Sequence, residues 1–127
     1  MTVQTLQQQR AKAALAAIRA LKDIDAKKIQ TRAAELPFMI QSNGLGQAAA
    51  FFRSKKNKDG YDKLFEILQS WLCDGHPYSP HKGKIEKDLL SAITQGDMTQ
   101  YRLAQAEAMQ YMVWVKQFAH AYLNAGE

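Results

Sequence analysis

The chain is short of the residues that break helices and of the patterns that build strands. It holds three prolines, one cysteine and seven glycines in 127 residues. No stretch alternates Val, Ile or Thr strictly with polar residues, which excludes an ordinary β-sheet. No run approaches the roughly 18 consecutive apolar residues a membrane span requires. Gln, Arg and Lys are scattered through the first twenty residues with no apolar core between them, which excludes a secretory signal. The lone Cys73 cannot close an internal disulfide, which fits a reducing cytoplasm. No internal repeat occurs at the usual solenoid periods.

What is present reads as helix. The chain is 46% apolar, 9% aromatic and 23% charged, the profile of one globular domain over residues 1–127. Its apolar residues recur at spacings of three and four. The expected architecture is all-α: a compact bundle of about five to seven helices with a long central C-terminal helix.

The expected elements follow from stripes and caps. A first helix covers about 4–22, with Ala11, Ala14, Leu15, Ile18 and Leu21 inward. Asp25 caps a second, in which Ala26, Ile29, Ala33, Leu36 and Ile40 form the stripe. Pro37 is expected to kink that helix or start a new one. Asn43-Gly44 reads as its stop. A short third helix covers about 45–54 and a fourth about 60–73. Residues 74–83, with two of the three prolines, read as a flexible loop, and a fifth helix covers about 84–95. Asp97 and Gln100 form a capping box for the last helix, whose stripe runs Tyr101, Ala104, Ala108, Tyr111, Val115, Phe118, Tyr122.

Motifs for chemistry are sparse. Gly44-Leu45-Gly46-Gln47 lacks the preceding strand and the Lys-Ser/Thr of a phosphate loop, so Gly44 reads as a cap and Gly46 as a site of close packing. Cys73, His76 and His81 are three soft ligands without the second closely spaced pair of a zinc site, so no metal or other cofactor is expected. Glu107 has no obvious partner in the sequence. His120 is a single imidazole with no second acid or base nearby, so no catalytic residue is assigned.

Charge is the stronger signal. Residues 1–63 hold 12 bases and 5 acids, whereas residues 64–127 hold 5 bases and 7 acids. A one-sided basic field points to an anionic partner, with nucleic acid ahead of anionic lipid. Lys12 and Arg19 share one helical face, and Lys28 and Arg32 another. Arg53, Lys55, Lys56 and Lys58 follow one another at the end of the third helix, more cations than dipole complementation requires. They read as a phosphate-tracking surface without sequence-specific base readout.

Two stretches are more specific. The first runs Glu35-Leu-Pro-Phe-Met-Ile-Gln-Ser-Asn-Gly-Leu-Gly-Gln-Ala-Ala-Ala-Phe-Phe-Arg-Ser-Lys55. The second runs Tyr101-Arg-Leu-Ala-Gln-Ala-Glu-Ala-Met-Gln-Tyr-Met-Val-Trp-Val-Lys-Gln-Phe-Ala119. Together they resemble the small α-helical subunit of the Cmr (type III-B) CRISPR effector complex. The resemblance extends over most of the chain outside the 74–83 loop, and Gln117 stands where that family often has a base. It implies a non-catalytic subunit that self-associates in a filament beside the RAMP backbone subunit and guide RNA. It also implies contact with the large polymerase-like subunit and with target RNA, and no membrane role. Carried onto this sequence, Arg102 and Lys116 lie in the second motif, and Arg53 and Lys55 close the first. With Lys56, Arg19 and Arg32 from the face argument, these are the expected RNA contacts. A free-standing helical adaptor and a small RNA-cleaving or RNA-modifying enzyme using His120 or the 76–81 loop are the competing readings.

Overall fold

The computed structural model describes residues 3–75 and 88–123. These form six α-helices: α1 Leu6–Arg19, α2 Ala26–Asn43, α3 Leu45–Ser54, α4 Tyr61–Ser70, α5 Leu89–Gln95 and α6 Met98–Tyr122. No strand occurs among the described residues. The expected loop at 74–83 begins instead as a π-helical turn, Trp71–Gly75, which prolongs α4; its remainder, with residues 84–87 of the expected fifth helix, lies outside the described residues.

Side chains at the ends set the boundaries. Thr5 and Gln8 exchange bonds in a capping box at α1, which starts two residues later than the stripe predicted and ends three earlier. Asp25 accepts from the amides of Lys27 and Lys28, the expected cap of α2. Asp97 and Gln100 complete the expected box at α6. Pro37 neither ends α2 nor begins another helix; α2 continues through it to Asn43. The apolar stripe on both sides explains this. Ala33, Leu36 and Ile40 are all fully buried, and packing outweighs the single backbone donor that proline removes.

The core lies where α6 meets α1 and α2. Ala104, Ala108, Met112, Val115 and Ala119 of α6 are fully buried, and the three alanines let neighbouring helices approach closely. Ile18, Ile29, Leu36, Ile40, Leu64, Leu68 and Leu72 meet them from the other elements. Each such side chain stabilises the fold by roughly 1.5–3 kcal/mol on burial. The predicted α6 stripe is inward along most of its length, but Tyr101 and Phe118 are half-buried and Tyr122 is exposed. The helices α2 and α6 run antiparallel. Gln30 Nε2 donates to the carbonyls of Ala119 and Leu123, and fifteen residues along, Leu45 N donates to Gln105 Oε1.

Candidate nucleic-acid interface

The two motif stretches meet in space. Gly44, at φ +90°, is both the C-cap of α2 and the N-cap of α3, a backbone geometry that suits glycine. Lacking a side chain, it leaves the first amides of α3 uncapped from within the motif. The caps come from α6 instead. Tyr101 Oη accepts from Gly46 N at 2.8 Å, and Gln105 Oε1 accepts from Leu45 N at 2.8 Å. A Cβ at Gly46 would lie 3.3 Å from Tyr101 Oη, so a small residue there is a condition of the bond. Gly44 and Gly46 thus act as the expected cap and site of close packing.

The C-terminal half of α3 builds a cation-rich corner. The chain turns from α3 to α4 through left-handed Lys56 (φ 55°), Asp59 (φ 52°) and Gly60 (φ 85°). Lys28 Nζ reaches Asp59 at 3.0 Å and ties this turn to α2. The bond raises the Lys28 ammonium above its ordinary pKa and holds the Asp59 carboxyl below its own. Phe51, Phe52 and Tyr61 pack edge to face, with centroids 4.9–6.2 Å apart. Cations cover their rings. Arg32 lies 4.4 Å from the Tyr61 centroid, and Lys55 Nζ lies 4.8 Å from that of Phe51 and 5.9 Å from that of Tyr61. Arg53 sits 5.8 Å from the Phe65 centroid. Burial is the main reason the Tyr61 phenol is pushed above its ordinary pKa, with the Glu35 carboxylate adding to it.

The seven expected RNA contacts therefore fall into three places. Arg32, Arg53, Lys55 and Lys56 share the corner. Arg32 is partly enclosed, with its Nε 3.5 Å from Glu35 Oε1 and its guanidinium against Tyr61. Arg53 and Lys56 line a hollow of about 290 Å³ that also holds Asp62, Glu66 and Asp88, so their field is locally mixed. Arg102 and Lys116 lie elsewhere, on the outer face of α6, exposed together with Leu103, Ala106, Gln110 and Val113. Fourteen residues of helix separate them by about 21 Å. Arg19 ends α1 and stacks at 5.0 Å on Tyr122 near the close of α6.

Sequence reasoning missed the best-formed polar cluster. Glu107 is not partnerless: it accepts from Arg10 Nε and Nη2, both at 2.7 Å, and from Trp71 Nε1 at 2.8 Å. Trp71 stacks on Tyr111 at 4.9 Å with ring planes 10° apart. Only about a tenth of each charged side chain in the pair is exposed. The Glu107 hydrogen bonds raise the Arg10 guanidinium above its ordinary pKa, and burial alone pushes the Tyr111 phenol well up. Beside this cluster opens a trough of about 700 Å³, walled by Ala13 and Ala17 of α1, by Leu21 just after it, and by Ile67 and Trp71. Arg10 and Glu107 are 97 residues apart, a separation that no local pattern in the sequence spans.

Candidate ligands for metal chemistry do not gather among the described residues, where no group of three or more His, Cys, Asp or Glu could hold an ion. Cys73 is buried in the π-helical turn, whereas His76 and His81 lie outside the described residues. The His120 ring is exposed and lies 2.9 Å from the Lys116 carbonyl. No helix among the described residues is long and apolar enough to cross a membrane.

Among the described residues the chain is a helical domain whose glycine-rich α3 entry is capped from a long final helix, with bases gathered at one corner. The model of the family CRISPR-associated protein (Cas_Cmr5) matches residues 6–122. The chain belongs to that family, and thus to the subunits of Cmr (type III-B) CRISPR complexes. A crystal structure of a CRISPR-associated Cmr5 family protein from Thermus thermophilus is similar in fold. It is 25% identical, superposes with a TM-score of 0.70, and the match covers 95% of this chain and 100% of that one.

Proposed function

We propose that this chain is a non-catalytic building block of a type III-B CRISPR ribonucleoprotein in the cytoplasm. Acting as a single domain, it stacks in several copies into a filament beside the RAMP-type backbone subunits that hold guide RNA. It meets the large polymerase-like subunit and lays its basic residues along target RNA in antiviral defence. The observation that carries this reading is the family match over residues 6–122. The excess of bases over acids in residues 1–63 supports the RNA contact.

The first test is purification of the tagged chain from its own host. Recovery of RAMP-type subunits with short guide RNAs is expected; a well-folded chain that recovers neither would leave a helical adaptor as the better reading. The second test addresses RNA contact. Arg53→Glu with Lys55→Glu should weaken binding of target RNA by the assembled complex and flatten its salt dependence, by about 0.7 in log–log slope per lost phosphate contact. An unchanged affinity and slope would remove the corner from the RNA path.

A further inference from the structure

Of the three large apolar side chains on α3, Leu45 and Phe52 are fully buried, but Phe51 is 37% exposed. Neighbours in a helix point about 100° apart, and with Phe52 turned fully into the core Phe51 lies at the edge of the buried face. The open part of the ring lies among aromatic and cationic neighbours. The ring is braced edge-on by Phe52 and Tyr61, with centroids at 6.2 and 5.8 Å. One helical turn on, Lys55 holds its ammonium 4.8 Å from the Phe51 centroid. Arg53, Lys55, Lys56 and Lys58 follow with no acid before Asp59. The apolar area on offer is one ring, far too small for a protein-docking patch but matched to the face of one base.

We infer that Phe51 is a stacking platform for a nucleobase of single-stranded RNA, and that Lys55 takes the adjoining phosphate. In the RNA-free chain the Lys55 ammonium occupies the ring's π-face, a weak contact at an exposed site. A base offers that face a better partner, and the released ammonium gains a phosphate oxygen. Because every base has a π-face, the platform is indifferent to sequence, as a subunit serving many guides requires. This inference rests on the RNA contact proposed above and adds to it a base, where that reading needed phosphates alone.

The test uses the assembled complex and target RNA carrying 5-iodouridine along its length, which couples on irradiation to aromatic rings stacked on it. An adduct mapped by mass spectrometry to Phe51 is the expected result. Phe51→Ala should weaken RNA binding about tenfold while leaving the salt slope unchanged, because no phosphate contact is lost. Phe51→Trp should restore the affinity, and the adduct on the wild-type chain needs no variant to fold. Adducts that fall elsewhere on this chain, with Phe51→Ala binding as wild type, would overturn the platform and leave the RNA contact standing. No adduct anywhere on the chain, together with an inert Arg53→Glu/Lys55→Glu variant, would overturn both.

Discussion

At the scale of single residues, the fold turns on one carboxylate. The two oxygens of Glu107 accept from the Arg10 guanidinium and the Trp71 indole in a nearly enclosed site. Glu107→Gln replaces one acceptor oxygen with a donor facing donors, and removes the charge that faces Arg10. It should cost about 3 kcal/mol, read as a lower midpoint of urea unfolding with an unchanged slope. The reverse truncation, Arg10→Ala, strands the carboxylate and should cost about as much. Tyr111 makes a separate prediction about pH. Burial raises its phenol above the ordinary value near 10, so the native state keeps a proton that the unfolded state loses. The stability this protects is complete below the unfolded pKa and is lost as pH rises beyond it. The melting temperature should therefore fall steeply above about pH 10, and Tyr111→Phe should blunt that fall.

At the scale of elements, the informative case is α3. Its first amides are capped by Tyr101 and Gln105 of α6, so a change on one helix is felt at the end of another. Tyr101→Phe removes the acceptor from Gly46 N and should cost about 1–2 kcal/mol in thermal or chemical unfolding. Gly44→Ala places a side chain at φ +90° and a Cβ 3.2 Å from Tyr101 Oη, and should destabilise by at least about 1 kcal/mol. Helix limits, caps at Asp25 and Asp97, and most of the core are legible in the sequence because they follow local rules of period and capping. The continuity of α2 through Pro37 is not, because tertiary packing of Leu36 and Ile40 decides there and no local rule contains it. The Glu107 cluster is invisible for a related reason: Arg10, Trp71 and Glu107 come from three separate elements. Of the expected RNA contacts, the sequence places Lys55 beside Arg53. It does not reveal that Arg32 is folded against Tyr61 and Glu35. The open part of the Phe51 ring is not legible either: Leu64 and Phe65 are also adjacent on a helix and both are buried, so adjacency alone does not mark the residue left outside.

At the scale of the whole molecule, the first and last helices are each other's main partners. The helix α1 packs on α6, Arg10 reaches Glu107, and Gln7 Oε1 accepts from the Trp114 indole at 2.9 Å. A chain cut after Gly96 would expose Ala14, Ile18, Ile29, Leu36 and Ile40, which pack in the core with α6. It should show no cooperative melt by circular dichroism, in contrast to the full chain. The same closure fixes when the protein can fold during its synthesis. While α6 is still inside the ribosome, α2, α3 and α4 can meet one another, but α1 lacks the helix it packs on. The nascent chain must carry its alanine-rich first helix without its main partner until α6 has emerged. Assembly that needs the folded domain therefore waits for the emergence of α6.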